Sequence, residues 1–287
     1  MSAELLDRKT TGFQPTQWWL LDSGIADAYS NMAIDEFLAT KANLDAPVLR
    51  FYQWQPYSIS LGYNQRIEDV NPNACKADGI DVVRRPTGGR AVLHAEEVTY
   101  AIILPQKISG DKKRDSVLQT YNYISQALVE GLKILGCDVR LEQGTGGNVA
   151  YAARTTEAIP CFSASAQFEV MSEGRKMVGS AQRRFERGIL QHGSILTGRF
   201  HERLPLYLNI AEQVGKERLM NSLTQKTISI SQLLNHSVSY REVVEAIISG
   251  FVKKYQICFS KKQPDSLDWQ GIESIKRSYL QIREVIP

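Results

Sequence analysis

Four short stretches of the chain hold side chains that could do covalent or acid–base chemistry. In "IPCFSAS" (159–165), Cys161 sits between a proline and a phenylalanine, after the small and polar run "QGTGGNVAYAARTTEAIP". A loop cysteine is easily exposed, and a cation beside it raises its thiolate fraction. The same residue could equally be a small buried hydrophobe. In "GRKMVGSAQRR" (174–184), Lys176 leaves a tight turn and enters an apolar strand. Alternation there points it outward, yet Gly179, Ser180 and Ala181 follow, and small residues in a strand often mark the close approach of a ligand or another backbone. "ILQHGSI" (189–195) places His192 in the middle of a strand, a position that suits a hydrogen-bonded structural histidine as well as a catalytic one.

The fourth stretch is "VVRRPTGGRAVLH" (82–94). Gly88 and Gly89 can take positive φ and admit a ligand to the backbone. Their N–H groups, with Arg84, Arg85 and Arg90 nearby, would suit an anion or a carbonyl oxygen. A plain strand-to-strand turn that needs glycines explains the same residues. A P-loop is excluded, because no Gly-Lys-Ser/Thr opens a helix here, and a dinucleotide fingerprint fails because a strand follows the glycines.

Elements must position these residues. "SNMAIDEFLATKA" (30–42) reads as a helix capped by Ser30 or Asn31, with Asp35 and Glu36 early, where the dipole favours them. "VLRFYQW" and "SISLGYN" read as strands joined by a short "QPY" turn, and "DVVRRP" and "RAVLH" as strands either side of the glycine pair. "VTYAIILP" (98–105) is apolar throughout, which predicts a central strand covered on both faces. Ser116 and Gln119 form a capping-box pattern before Tyr121, Ile124, Leu128, Leu132 and Leu135, and Gly136 ends that helix. Residues 167–195 read as three strands with turns at Ser172–Gly174 and Glu186–Gly188. A second capping box, Ser239 and Glu242, opens the stripe Val243, Val244, Ile247, Ile248, Phe251, Tyr255. From Pro264 onward the chain is either a further helix or a loosely attached tail. Strands fill the first two-thirds and helices the last third, so the class is α+β: mixed sheets with flanking helices and a helical C-terminal part.

Composition narrows the function. A formal net charge of +3 does not call for nucleic acid, though it suits an acidic partner. No apolar run approaches the roughly 18 residues that span a bilayer, and "MSAELLDRKTTGFQPTQ" lacks the apolar core of a signal peptide. Cys75, Cys137, Cys161 and Cys258 are too widely spaced for a zinc site or a redox motif, so they read as free thiols of a cytoplasmic protein.

Taken together, "RRPTGGRAVLH", "CFSAS" and "GRKMVGSAQRR…GILQHGSI" resemble, in order and spacing, the lipoate–protein ligase and octanoyltransferase superfamily, which shares its catalytic fold with biotin–protein ligase. The resemblance covers about residues 18–255. It leaves 1–17 as a polar lead-in and 256–287 as a C-terminal extension. Within the superfamily the chain is most similar to the cysteine-dependent octanoyltransferases. The ligases resemble "R-R-x-S-G-G-G-x-V-x-H-D"; here Arg90 replaces the third glycine, and the next strand reads "EEVTYAI". The family's usual aspartate after the histidine is Ala95 here, so its role is lost or taken by Glu96 or Glu97.

What the resemblance implies can be set out in full. Cys161 would be the nucleophile and Lys176 its partner. Arg84, Thr87, Gly88, Gly89, Arg90, His94, Gly179, Ser180, Ala181 and His192 would line the substrate site, with His94 and His192 as candidates to deprotonate the acceptor amine. The donor would be octanoyl-acyl carrier protein. The acceptor would be a lysine of a lipoyl domain, in the glycine cleavage H protein or a 2-oxoacid dehydrogenase E2. No cofactor, metal, nucleic acid or membrane is implied, and a monomer is expected. Three other readings share the motifs: an ATP-dependent lipoate–protein ligase, an amidotransferase that moves octanoyl groups between lipoyl domains, and a non-catalytic acyl-binding homologue.

Overall fold

In the computed structural model, the residues described are 16–106, 117–143 and 168–283. An eight-stranded mixed sheet runs in the order β11-β1-β2-β6-β10-β9-β8-β7. Its strands are β1 (Gln17–Ala26), β2 (Val48–Trp54), β6 (Glu97–Pro105), β7 (Arg140–Gln143), β8 (Phe168–Ser172), β9 (Arg175–Arg184), β10 (Gly188–Leu196) and β11 (Cys258–Lys261). A small sheet, β4-β3-β5, holds β3 (Ser58–Leu61), β4 (Asp81–Arg84) and β5 (Val92–His94). Strand β6 is buried at every position, as its continuous apolar run requires. The three strands expected over 167–195 are β8, β9 and β10.

The strands expected either side of the QPY turn and of the glycine pair are present, but in neither case are the two paired with each other. Strands β2 and β3 do not form a hairpin: β2 pairs with β1 and β6, whereas β3 pairs with β4 and β5. Nor is the glycine pair a simple hairpin turn. Its flanking strands β4 and β5 lie on opposite sides of β3, parallel and antiparallel to it. All four residues of "SISL" are buried, so β3 is the centre of its sheet and the glycine loop must cross over its end.

Helix α1 (Ala28–Thr40) packs between the large sheet and a C-terminal helix, and ten of its thirteen residues are buried. Its cap is Asp27, not Ser30 or Asn31: the Asp27 carboxylate accepts from the Ser30 backbone N–H at 2.8 Å and from the Ser30 hydroxyl at 2.8 Å. Starting three residues early moves Asp35 to mid-helix, where the dipole has little hold on it and burial is complete. The other helices are α2 (Pro72–Ala77), α3 (Val117–Ile134), α4 (Gln213–Lys226), α5 (Ile230–Leu234), α6 (Tyr240–Tyr255) and α7 (Trp269–Arg283). Ser239 and Glu242 cap α6 reciprocally, and Gly136 follows α3 at φ +97°. Residues 258–283 are integral to the packing: β11 pairs in parallel with β1, and α7 lies on α1.

Helices α3 and α6 cover the opposite face of the large sheet. They cross at two glycines. A Cβ on Gly250 would lie 2.3 Å from the backbone nitrogen of Gly131. Gly250→Ala must therefore push the helices apart, and overpacking of this kind costs about 1–3 kcal/mol. A fall in the unfolding free energy by that amount, read from urea denaturation, is the expected result.

Candidate active site

The glycine loop is organised around Arg85, which is 4% exposed. Its guanidinium donates to the Gly88 carbonyl at 2.8 and 3.1 Å, to the Arg90 carbonyl at 2.7 Å, and to the Ser60 carbonyl and hydroxyl at 2.9 and 3.1 Å. The loop's carbonyls thus turn inward onto one buried cation. Gly89 takes φ +97°, and its carbonyl presses on Gly62, where a Cβ would stand 2.0 Å away. Arg84 donates instead to the carbonyls of Gly62, Tyr63 and Gln65. Arg183 of β9 donates to the Pro86 carbonyl at 2.7 Å. Arg84, named above as a substrate contact, braces a neighbouring turn and does not line the pocket described below. Gly88 and Gly89 are exposed and Arg90 is half-buried at the loop's rim.

Thr87, fully buried, ties this loop to a second network. Its hydroxyl lies 2.6 Å from His192 Nε2, and His192 Nδ1 lies 2.9 Å from Asp35 Oδ2. Asp35 also accepts from Arg50 at 2.6 Å and from the Tyr52 hydroxyl at 2.9 Å. Arg50 is completed by the Asn31 carbonyl and side chain and by the Ser23 hydroxyl. Burial would raise the Asp35 carboxyl's pKa, but the Arg50 charge and the bond from His192 outweigh it and hold the group below its ordinary range. An ionised carboxylate only accepts, so Nδ1 of His192 carries the proton and Nε2 accepts from Thr87. Burial, only partly offset by Asp35, pushes the His192 pKa down. His201, bonded to Thr227 at 2.8 Å, is also pushed down by burial.

Acid should therefore destabilise the fold in a defined window. Both imidazoles titrate lower in the folded chain than in the unfolded one, so the unfolded chain binds more protons once pH drops below about 6.5. Stability present above that value should fall as pH is lowered through it. Each histidine contributes at most about 1.4 kcal/mol per pH unit. Asp35, also depressed, adds its loss only below about 3.9. Urea midpoints measured between pH 7.5 and 5 should decline, and a flat profile would contradict the histidine environments.

His94, on β5, is held in a parallel way. Its Nε2 lies 2.7 Å from the Ser60 hydroxyl and its Nδ1 2.7 Å from Glu97 Oε1, while its ring stacks on Trp54 at 4.0 Å. Burial would raise the Glu97 pKa, but the charge and hydrogen bond of His94, with a bond from Thr99, bring it below the ordinary range. Glu97 is thus the carboxylate beside His94, two positions after Ala95. Glu96 instead accepts the backbone N–H groups of Arg199 and Phe200. Neither His94 nor His192 offers a bare Nε2: each meets a hydroxyl, Ser60 or Thr87.

These networks enclose a pocket. Its walls include Met32, Tyr52, Trp54, Val92, His94 and His192, and its floor is Gly179, Ser180 and Ala181 of β9 against Gly193 and Ser194 of β10. The floor lies flat because of its small residues: a Cβ on Gly193 would stand 2.5 Å from the Gly179 carbonyl. Ser180 is fixed by the Tyr100 hydroxyl at 2.7 Å. Lys176 stands upstream on the same strand. A register shift between β8 and β9 breaks the strand's alternation, and Met177 and Val178 both enter the core under α3 and α6. Lys176 does not point outward to solvent as alternation suggested. It is 4% exposed, and its Nζ donates to Glu169 Oε1 at 2.8 Å. Cys161 lies outside the described residues. Among the described residues no three His, Cys, Asp or Glu side chains gather as a metal site, and no helix is long and apolar enough to cross a membrane.

Reading the sequence missed Asp35, Arg50, Trp54, Ser60 and Glu169. One signal was present: Arg50 is a lone charge inside the apolar strand "VLRFYQW", and a buried charge needs a partner.

This fold, with a small-residue floor beside a buried lysine and a glycine loop over it, is that of lipoylation enzymes, and the chain matches the Lipoyl protein ligase A/B catalytic domain over residues 27–252. The fold is similar to that of a bipartite lipoate protein ligase from Thermoplasma acidophilum (TM-score 0.70, 23% identity, 91% of each chain). A lipoate-protein ligase A bound with ATP matches with a TM-score of 0.67, at 23% identity and over 91% of this chain and 92% of the other. Sequence similarity is greater to Octanoyltransferase LipM of Lysinibacillus sphaericus, at 34% identity over 91% of this chain and 94% of the relative. Octanoyltransferase LipM of Kyrpidia tusciae is 39% identical over 82% of this chain and 86% of the relative. The chain belongs to the LipM octanoyltransferases: it is an acyltransferase that moves octanoyl groups in lipoate biosynthesis.

Proposed function

We propose that the octanoyl group passes through a thioester on Cys161, from octanoyl-acyl carrier protein to a lysine of a lipoyl domain in the glycine cleavage H protein or a 2-oxoacid dehydrogenase E2. The enzyme acts as a monomer in the cytoplasm. In the first transfer, the Cys161 thiolate attacks the donor thioester, and the carrier leaves with its own sulfur, which takes up a proton. In the second, the acceptor's neutral ε-amine attacks the octanoyl-Cys161 carbonyl, the C–S bond breaks to return the Cys161 thiolate, and the amine nitrogen releases a proton to solvent as the amide forms. A covalent relay means the two protein partners need not dock together. Conversion of thioester to amide runs downhill, so neither ATP nor a metal enters the scheme.

The observation that carries this reading is the pocket floored by Gly179, Ser180 and Ala181 on the strand that bears the buried Lys176. An alkyl chain there gains about 0.8 kcal/mol per buried methylene, several kcal/mol for eight carbons. Lys176 favours the thiolate by its charge and donates to the oxygen that becomes negative in each tetrahedral intermediate. Glu169, its half-buried partner, keeps that ammonium compensated between turnovers. Of the glycine loop only Arg85 reaches the pocket wall, while Thr87, Gly88, Gly89 and Arg90 stand behind it, and His94 and His192 line the wall, held by Ser60 and Thr87.

The assay is direct. Purified enzyme, octanoyl-acyl carrier protein and a lipoyl domain should give octanoylated lipoyl domain with no nucleotide present. Modification that appears only when octanoate and ATP are supplied would replace this scheme with a ligase. Modification from octanoylated lipoyl domain but not from carrier protein would replace the donor.

A further inference from the structure

A second, larger groove adjoins the acyl pocket, and Trp54 belongs to both walls. Gln53, Gln55, Glu96, Glu97 and Thr197 are among its other lining residues, and among the described residues no lysine, arginine or histidine lines it. Thr197 follows β10, whose Ile195 pairs with Val178, two residues after Lys176 on β9. This end of the groove therefore lies toward the Lys176 end of β9, while the acyl pocket runs along residues 179–181.

Glu97 is the unusual group in this wall. It is 2% exposed. Its Oε1 accepts from His94 and Thr99 and the Ser194 hydroxyl also bonds to the carboxylate, but among the described residues no donor stands within hydrogen-bond distance of its Oε2. A buried carboxylate oxygen without a donor is unfavourable and rare. The Glu97 pKa is held low, so the oxygen is charged as well as unpaired. His94 and Thr99 fix the carboxylate's orientation, and Trp54 is pinned in turn by His94 stacking and by its own N–H on the Thr99 hydroxyl at 2.7 Å. The site is rigid, anionic and one cationic donor short.

We propose that this groove is the entry port for the acceptor's lysine and that Glu97 Oε2 receives its ammonium. A primary ammonium on a flexible aliphatic stem supplies three donors and a point charge. The aromatic walls of Trp54, Tyr57 and Tyr240 suit the stem. The pantetheine arm of a carrier protein is the poorer occupant, because its phosphate would face two carboxylates with no cation in the wall. The identity of the acceptor rests on the transfer reading above; the ammonium site stands on its own geometry.

The test uses n-butylammonium as probe and n-butanol as its uncharged control, titrated calorimetrically into the full chain. Wild type should bind the amine and not the alcohol. Glu97→Gln keeps an acceptor for His94 and removes the charge, and should weaken amine binding at least ten-fold. Ile25 lines the groove and is 63% exposed, so its substitution leaves the core untouched. Ile25→Lys should weaken amine binding and Ile25→Glu strengthen it, each a few-fold and each lessened by salt. KM for the lipoyl domain should move in the same order, with kcat changing less. Equal binding of amine and alcohol, or amine binding indifferent to Glu97→Gln and to both Ile25 variants, overturns the proposal. If Glu97→Gln does not fold, the Ile25 pair decides alone. Amine binding as described with no octanoyl adduct on the enzyme would sink the thioester scheme and leave the groove standing. An adduct with indifferent amine binding would do the reverse.

Discussion

Cys161→Ser should abolish octanoyl transfer, lowering turnover on the order of 10³-fold or more, while leaving the unfolding midpoint unchanged. The substitution exchanges one atom. A serine hydroxyl stays protonated at neutral pH, and in the proposed scheme the Lys176 charge, enough to favour a thiolate, is too weak to produce an alkoxide. No other cysteine can take over. Burial pushes the Cys75 thiol up to about 11, with Asp78 assisting, and burial alone does the same to Cys137. Both are nearly all protonated at neutral pH. Cys258 is exposed on β11, at the edge of the sheet, with three strands between it and β10, the nearer strand of the pocket's floor. Parallel assays of Cys75→Ala, Cys137→Ala and Cys258→Ala should show transfer intact. Activity surviving in Cys161→Ser would remove the nucleophile from the scheme.

The largest effect on stability should come from Asp35→Ala. Arg50 and Asp35 are both wholly buried, and their charges meet at 2.6 Å. Deleting one partner leaves the other charge uncompensated, at a cost of about 3–5 kcal/mol. For a chain of this size that lowers the melting temperature by roughly 10 °C. Tyr52 and His192 lose an acceptor in the same step, and with His192 goes the link to Thr87 in the glycine loop. The double variant Asp35→Leu/Arg50→Met should recover most of the loss, because a buried pair replaced as a unit leaves no orphaned charge. Chemical denaturation of the three proteins makes the comparison. Equal destabilisation in single and double variants would mean that shape, not charge, dominates at this position.

The contrast between these two sites shows what can be read from sequence. Strand β6 and helices α3 and α6 were legible because their apolar periodicity depends only on local burial. The pairing of β3 was not, since adjacent strands split between two sheets for reasons that lie in distant partners, β5 among them. Lys176 defeated alternation because a register shift with β8 intervenes, and such a shift leaves no mark on composition. The motif around Gly88 and Gly89 announced a special loop, but not that Arg85 would organise it from inside while Arg84 served a neighbouring turn. The carboxylate missing at Ala95 could be sought in Glu96 or Glu97. Only the fold shows which of them stands beside His94: Glu97 opens β6 facing that ring, whereas Glu96, just before the strand, accepts the backbone amides of Arg199 and Phe200.

The most direct test is an intact mass of the enzyme after mixing with octanoyl-acyl carrier protein in the absence of ATP. The scheme predicts a gain of one octanoyl group, mapped to Cys161, labile to hydroxylamine, and discharged when a lipoyl domain is added. An unchanged mass, together with octanoylation of the lipoyl domain that requires ATP, would contradict it.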